Sequence, residues 1–185
     1  MRIIAGKHRG RRLKSVPGEK SRPTASRTRE ALFSILGESV VRGRVLDLFA
    51  GTGALGLEAL SRGAERAVLV EKDPAAGEVI GENIASLGAE DAAEFILGDC
   101  RAVLKSLAER GEVFDLVLAD PPYRGRIGEN LLVDIERFAI LIADGIVVIE
   151  HPLENLPFVP ETGWRLLERK KYGRAVLSFY GRGGI

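Results

Sequence analysis

The chain has 185 residues, 45% of them hydrophobic and 29% charged, which is the composition of one globular domain with a sizeable core and room for a small appendage. Its net charge is +1, but residues 1–44 carry +9 and residues 45–185 carry −8, which points to an anionic partner for the basic segment. The single cysteine excludes an internal disulfide and a cysteine-based zinc site and fits a reducing cytoplasm, while the lack of a long apolar run excludes a signal peptide and a membrane-spanning segment.

The first segment is predicted to be a basic hairpin followed by a helix. Residues 2–5 and 12–16 flank a turn that is punctuated by glycines and filled with cations. Thr24 or Ser26 is expected to cap the helix, which runs to about Leu36 and ends at Gly37. We expect residues 1–40 to form an extension that binds phosphate groups. The cations assigned to this role are Lys7, Arg9, Arg11, Arg12, Arg22, Arg27 and Arg29. The competing view is a structural hairpin packed on the rest of the fold, with its charges merely solvated.

Strands and helices alternate through the remainder, residues 41–185, which we take as the main domain. Strands are predicted at 44–49, 67–71, 94–97, 114–119 and 145–150, and helices at 54–62, 74–87, 101–110 and about 128–141. Two last strands, 164–171 and 175–180, are predicted to pair antiparallel. The alternation predicts an α/β fold with a mostly parallel sheet, helices on both faces and right-handed crossovers.

The loop after the first strand is predicted to bind a nucleoside cofactor. Gly51 and Gly53 allow a tight turn and a close approach of ligand to backbone, and with Gly56 they match the dinucleotide fingerprint. NAD must therefore be considered, but Asp47 would face its pyrophosphate and repel it. A carboxylate there favours a ligand that carries an ammonium group, such as S-adenosylmethionine.

Two later strand ends supply further cofactor contacts. Glu71 ends the second strand, where a carboxylate can accept hydrogen bonds from both ribose hydroxyls. Asp99 follows the third strand and is placed to accept from an adenine amino group, with the backbone near Cys100 contacting the ring. Asp99 can equally cap the helix that follows, and both roles are compatible.

The stretch Asp120-Pro121-Pro122-Tyr123 ends the fourth strand and is predicted to hold the reacting group. Two consecutive prolines cannot continue a hydrogen-bonded ladder, so the chain leaves the sheet here in a stiff turn. That turn offers a carboxylate, carbonyls without competing N–H groups, and a flat ring. An amino group on a nucleobase needs acceptors for its two N–H groups and a stacking face for its ring.

These motifs together resemble the Rossmann-like S-adenosylmethionine-dependent methyltransferases, from Asp47, Phe49, Gly51 and Gly53 onwards. The stretch from Arg22-Pro23-Thr24 to Phe33 and the closing hairpin at 172–180 are similar to the bacterial 16S rRNA guanine-N2 methyltransferase family, RsmD. The resemblance implies a seven-stranded methyltransferase sheet, S-adenosylmethionine as cofactor, and methylation of the guanine at reference position 966. It covers about residues 3–180. One departure is Ser26, where the family commonly has an acidic residue.

The resemblance leaves partners and alternatives to be stated. We expect 16S rRNA or a small-subunit particle as substrate, binding of RNA by the basic extension, and a monomer that does not engage a membrane. No metal is expected, since His8 and His151 lack ligand spacing. The main alternative is methylation of adenine N6 or another amino group on RNA or DNA. More remote alternatives are a nucleotide-binding oxidoreductase and a non-catalytic RNA-binding module.

Overall fold

A seven-stranded sheet with helices on both faces forms the part of the chain that the computed structural model describes. That part comprises residues 1–16, 23–122, 127–154 and 163–183, with residues 23–25 and 127–129 described by backbone alone. The strands are β1 (Arg44–Leu48), β2 (Arg66–Glu71), β3 (Ala93–Leu97), β4 (Phe114–Ala119), β5 (Leu141–Pro152), β6 (Trp164–Tyr172) and β7 (Ala175–Arg182). The helices are α1 (Pro23–Leu36), α2 (Ala54–Ser61), α3 (Pro74–Leu87), α4 (Cys100–Glu109) and α5 (Ile127–Arg137), and a 3-10 turn spans Gly37–Val40.

The sheet order is β3-β2-β1-β4-β5-β7-β6. β1 pairs parallel with both β2 and β4, β5 pairs parallel with β4, and β7 pairs antiparallel with β5 and β6. The predicted mostly parallel sheet with an antiparallel C-terminal hairpin is therefore confirmed. Because the chain passes from β1 to β2 on one side and β4 lies on the other, the carboxyl ends of β1 and β4 flank a switch point of the topology. Ligands of open α/β sheets bind at such a point.

Two apolar layers cover the faces of the sheet. One contains the apolar side chains of α1, α2 and α3 together with Ile3 and Leu13 of the N-terminal segment. The other contains those of α4 and α5 with Trp164 and Tyr180 of the hairpin. The basic extension thus shares its core with the sheet, and its apolar side chains are buried there.

The N-terminal part of the chain corrects two of the predictions. The N-terminal hairpin is an antiparallel bridge between Arg2 and Arg12 rather than two extended strands. α1 begins at Pro23, so Thr24 and Ser26 lie inside the helix and neither caps it. Proline suits a first turn because its φ is already helical and its missing N–H would have had no partner there.

The boundary between α5 and β5 also differs from the prediction. α5 ends at Arg137, and β5 begins at Leu141 instead of residue 145. The apolar run 138–142 continues the helical pattern in sequence, but Ala139 adopts a left-handed φ of 51° and ends the helix. An irregularity in the pairing of β4 with β5 then follows, between Phe114 and Leu116.

Candidate active site

Four carboxylates converge at the carboxyl edge of the sheet. Asp47 on β1 is in register with Leu118 on β4, which is itself in register with Val148 on β5. Asp47 is also in register with Leu69 on β2. Glu71, Asp120 and Glu150 each lie two residues beyond one of these three partners, so their side chains lie on the same face of the sheet as Asp47. Residues in register share a face and successive rows on that face are about 7 Å apart. One face of the edge is therefore strongly acidic.

Asp47 occupies the centre of this face and is fully buried, with 1% of its surface exposed. Its Oδ2 accepts a hydrogen bond of 2.8 Å from the Gly56 N–H in the first turn of α2. Its Oδ1 is also buried and has no hydrogen-bond partner among the described residues. Burial raises the pKa of Asp47 to about 7, and the negative charges of Asp120 and Glu71 add to the rise. A buried acceptor without a donor is costly, and a cationic ligand would relieve both the missing hydrogen bond and the repulsion.

The loop from β1 to α2 is shaped by its glycines and by Glu71. Gly51 and Gly53 both have left-handed φ values, 57° and 76°, and so does Phe49 at 62°. A Cβ on Gly53 would come within 2.8 Å of Leu69, whereas a Cβ on Gly51 would meet only open space. Gly53 is thus required by packing inside the protein, and Gly51 borders the space in front of the loop.

Glu71 holds this loop in place through backbone donors. Its Oε2 accepts from the Gly51 N–H at 2.9 Å, and its Oε1 accepts from the Lys72 and Asp73 N–H groups at 2.8 and 3.0 Å. A carboxylate has roughly four lone-pair directions. These three backbone donors leave about one acceptor direction of Glu71 free. To bind both hydroxyls of a ribose, Glu71 would therefore have to give up one of its backbone hydrogen bonds.

Asp99 and Cys100 lie between the end of β3 and the start of α4. Asp99 caps α4, since its Oδ1 accepts from the Arg101 and Ala102 N–H groups at 3.1 and 3.5 Å. The predicted cap is therefore confirmed. Asp99 remains exposed at the same edge as Glu71, and Cys100 beside it is half-buried. Burial raises the pKa of the Cys100 thiol, and Asp99 contributes to the rise, so the thiol is neutral near neutral pH.

The turn after β4 places Asp120 at the mouth of the acidic face. Asp120 and Pro122 are exposed, whereas Pro121 is buried and fixes the start of the turn. Although solvent reaches Asp120, the protein around it desolvates the carboxylate and raises its pKa to about 6. The predicted partner Tyr123 lies outside the described residues.

Glu150 is the residue at this site that the sequence prediction missed. It follows Ile149, which is in register with Ala119, so Glu150 lies beside Asp120. Burial and, to a smaller extent, the charge of Asp120 raise the pKa of Glu150 to about 7. Two adjacent carboxylates with raised pKa values favour sharing one proton near neutral pH. The sequence does show Glu150 as a carboxylate at the end of an apolar strand. That it lies beside Asp120 depends on the order of the strands in the sheet, which the sequence pattern does not give.

The basic extension is attached to α2 and α3 by buried polar side chains. Glu58, fully buried on α2, accepts from the Ile4 and Ala5 N–H groups at 2.7 and 3.0 Å. Ser61 accepts from the His8 N–H at 2.9 Å, and Asn83 on α3 accepts from the Lys14 N–H at 2.7 Å. Asn83 also donates to the carbonyl of Thr52 in the glycine loop at 2.9 Å, which links the extension to the predicted cofactor site.

The cations of the extension fall into two groups, and one residue corrects the prediction. Arg29 is only 5% exposed, donates to the Arg2 carbonyl and lies 3.7 Å from Glu58, so its assignment as a phosphate contact is wrong. Arg22 lies outside the described residues. The exposed members of the predicted set are Lys7, Arg9, Arg11, Arg12 and Arg27. A groove of about 720 Å³ runs between the extension and α1, lined in part by Arg2, Arg12 and Ser26.

Three further observations concern metal ligands, His151 and membrane-spanning helices. They contain no cluster of three His, Cys, Asp or Glu side chains arranged to hold a metal ion. His151 instead makes a 2.8 Å contact from Nε2 to the buried Ser178 hydroxyl on β7. Of the helices described, none has both the length and the apolar character needed to cross a membrane.

Comparison with known proteins identifies relatives over almost the whole chain. The family described as conserved hypothetical protein 95 matches residues 1–181. Ribosomal RNA small subunit methyltransferase D of Escherichia coli K12 is 37% identical, covering 98% of this chain and 90% of that protein. A solved structure from Escherichia coli is similar with a TM-score of 0.88 at 37% identity, over 100% of this chain and 99% of that one. A distant structure solved with S-adenosylhomocysteine has a TM-score of 0.65 at 14% identity, over 80% of this chain and 48% of that one, and shares the fold alone.

Proposed function

The chain belongs to the family described as conserved hypothetical protein 95, that of ribosomal RNA small subunit methyltransferase D, and on that premise we propose that it is an S-adenosylmethionine-dependent methyltransferase of small-subunit rRNA. The observation that carries the proposal is the buried Asp47 carboxylate with one unpartnered oxygen. Asp47 lies one row further from the sheet edge than Asp120, at the switch point of a Rossmann-like methyltransferase sheet. This arrangement fits a cationic nucleoside cofactor next to an acceptor for an amino group.

The residues present fit S-adenosylmethionine. Asp47 would accept from its ammonium group, Glu71 from a ribose hydroxyl, and Asp99 from the adenine amino group, with Cys100 and Phe49 lining the walls. Gly51 leaves open space at the loop, so the ligand can approach the backbone. When bound, the cofactor supplies an electrophilic methyl group on a cationic sulfur. An acidic face stabilises that positive charge and disfavours the pyrophosphate of NAD, which argues against the oxidoreductase alternative.

The substrate group that best suits the Asp120 turn is an exocyclic amino group. The Asp120 carboxylate and the Pro121 carbonyl would accept its two N–H groups, which turns the nitrogen towards tetrahedral geometry and directs its lone pair at the methyl group. Pro122 keeps the turn stiff, and Tyr123 would stack on the base. By family resemblance we propose N2 of the guanine at reference position 966 as the target. The base must leave any stack or pair to reach this turn.

The Asp120 and Glu150 pair would also take part in removing a proton. Methylation makes the nitrogen cationic, and it must then lose one proton to give the neutral product. Ionised Asp120, hydrogen-bonded to that nitrogen, is placed to accept the proton, and Glu150 beside it can share it. The remaining contributions are positioning and electrostatic stabilisation of the developing charge.

The RNA itself would be bound in part by the extension. Lys7, Arg9, Arg11, Arg12 and Arg27 are exposed on a segment whose backbone is fixed by Glu58, Ser61 and Asn83. Fixed cations bind phosphates with little ordering cost. We therefore retain the extension as an RNA-binding element, without Arg29.

The test is transfer of a tritiated methyl group from S-adenosylmethionine to RNA from a strain that lacks this gene, followed by nucleoside analysis. Labelled N2-methylguanosine in small-subunit rRNA is the expected product. Labelled N6-methyladenosine would show that the target is adenine N6, the main alternative, and not guanine N2. In parallel, saturating S-adenosylhomocysteine should raise the melting temperature and NAD should not, because only a ligand of the folded state stabilises it.

A further inference from the structure

The turn between β6 and β7 lies at the same edge of the sheet as Asp120. β5 runs parallel to β4, so both end at this edge, and β7 starts there because it runs antiparallel to β5, with Pro152 in register with Ala175. The Leu153 N–H donates to the Arg174 carbonyl at 3.0 Å and fastens the turn to the end of β5. The hairpin turn is therefore a fixed neighbour of the candidate active site.

The register of β5, β7 and β6 gives the separation between Glu150 and the cations of the hairpin. Glu150 on β5 is in register with Leu177 on β7, which is in register with Lys170 on β6. All three side chains lie on the acidic face, and two strand spacings correspond to about 10 Å. Lys170 thus lies in the same row as Glu150. Lys171 is the next residue on β6, so its side chain leaves the opposite face of the sheet, and Arg174 lies in the turn at the end of the strand.

This turn is strongly basic and adjoins the acidic face of the edge. Residues 168–174 contain four cations and one carboxylate, and the four cations are all exposed. Glu168 pairs with Lys170 at 2.8 Å. Within the described ranges, no carboxylate lies at ion-pair distance from Arg169, Lys171 or Arg174. An RNA backbone that brings a base to Asp120 must pass an acidic surface, and cations beside that surface offset the repulsion.

The backbone of the hairpin holds these cations in place. Tyr172 pairs with Ala175 across a two-residue turn in which Gly173 has a φ of 63°, as the first central position of a type II′ turn requires. Tyr172 also packs against the apolar layer on the acidic face. We propose that Lys170, Lys171 and Arg174 form a second RNA contact, which binds backbone phosphates of the nucleotides that flank the target base.

The cationic turn of the extension, at residues 7–11, is placed less closely to the reacting group. The Lys7 N–H donates to the Ser61 carbonyl at the end of α2, while the glycine loop lies at the beginning of that helix. Eight residues of helix span about 12 Å. The cations of this turn would thus bind RNA at a distance from the reacting group, and the hairpin would position the strand next to the base. This inference rests on the proposed function, since it takes RNA as the substrate.

The experiment compares the double variant K171Q/R174Q with R165Q, a cation on the same strand at its opposite end. Both changes replace exposed side chains and leave Gly173 intact. Binding to transcribed 16S rRNA is measured against salt concentration, and methyl transfer is measured as a function of RNA concentration. The double variant should bind about tenfold more weakly at 0.1 M salt and lose roughly 0.7–0.9 of salt slope per lost phosphate contact. KM for RNA should rise while affinity for S-adenosylhomocysteine stays constant, and K171R/R174K should restore binding.

The outcomes separate the hairpin from the proposed function. If the wild-type chain transfers no methyl group to rRNA, the proposed function fails whatever the variants do. If it does and K171Q/R174Q behaves as R165Q does, the hairpin contact alone is overturned. Loss of binding to assembled small-subunit particles with unchanged binding to naked rRNA would assign the hairpin to a protein partner and also overturn the RNA contact. Should K171Q/R174Q melt early, the single variants K171Q and R174Q decide the matter.

Discussion

Asp47 combines complete burial, one hydrogen bond and one unpartnered oxygen, and these features make its charge depend on the ligand. In the free protein its pKa of about 7 means that it is protonated at pH 6. An ammonium group against Oδ1 would favour the ionised form, so binding at pH 6 would release a proton. We expect the affinity for S-adenosylhomocysteine to rise up to about tenfold per pH unit from pH 5 to 7 and then to level off. Calorimetry at several pH values, in buffers of different ionisation enthalpy, measures both quantities.

The controls follow from the same charges. Asp47→Asn should weaken binding and remove the proton release, whereas Asp120→Asn should leave most of the release in place. The stability of the free protein depends on pH in the opposite direction from the ligand affinity. The folded state holds a proton that the unfolded state, with an ordinary pKa of 3.8, has lost, so the stability of the free protein should fall as the pH rises from about 4 to 7. An affinity independent of pH in the wild-type protein would rule out a contact between Asp47 and the ammonium group of the ligand.

Asp120 should affect the chemical step and not cofactor binding. Its proposed contact is with the amino group, so Asp120→Ala should lower the single-turnover rate by about 10²–10³, the usual cost of losing one preorganised group. The wild-type rate should rise as the pH increases through about 6, because the ionised carboxylate is the acceptor. Asp144→Asn, a change at an exposed acid on β5, serves as the matched control. A rate for Asp120→Ala close to that of the control would refute the amino-group contact.

At the scale of residues, the positions that were predicted for the site are those whose signal is local. Gly51, Gly53 and Asp120 stand where a strand stops, and strand ends in an α/β sheet are marked by apolar runs that give way to glycine, proline or acid. Glu150 ends a strand in the same way, but its role depends on lying beside Asp120, which requires knowledge of strand order. Arg29 was misassigned because its partner, Glu58, is 29 positions away on another helix.

At the scale of elements, the extension depends on one glutamate. The fully buried Glu58 side chain accepts from two backbone N–H groups of the extension and pairs with the partly exposed Arg62 at 2.8 Å. Glu58→Ala would leave those donors and the buried Arg29 without a charged partner. Breaking a buried pair from one side typically costs about 3–5 kcal/mol. We expect a loss of that size in the free energy of urea unfolding, with Glu65→Ala, an exposed acid of the loop before β2, as the control. Equal stability of the two variants would contradict the role of Glu58.

Element boundaries were predictable where a local terminator exists. α3 begins at Pro74 with Asp73 as its cap and ends at Gly88 in the left-handed conformation, and its predicted bounds are confirmed. The transition from α5 to β5 has no such signal. Ala139 ends the helix with a positive φ that its side chain does not favour, so the stop is imposed by packing of the following strand on β4. Tertiary contacts of this kind cannot be read from periodicity.

At the scale of the whole molecule, charge is divided between an acidic edge and basic peripheral surfaces. The sequence predicted that the extension binds RNA through its cations. The structure adds partners from the main domain, including Glu82 for Lys14 at 3.0 Å and the Ser86 carbonyl for Arg11. The extension is thus both packed and charged, so packing and RNA binding are separate properties that one experiment can distinguish.

The triple change of Arg9, Arg11 and Arg12 to alanine makes that distinction. All three side chains are exposed, and the extension is fastened by backbone hydrogen bonds to Glu58, Ser61 and Asn83, so the melting temperature should change little. RNA affinity should fall, and the slope of log K against log salt should flatten by up to about two units. Removing three cations that lie elsewhere, at Lys105, Arg137 and Arg165, controls for the change in net charge. Full RNA affinity with an unchanged slope would show that these charges are merely solvated, as would a loss of stability large enough to account for all of the lost binding.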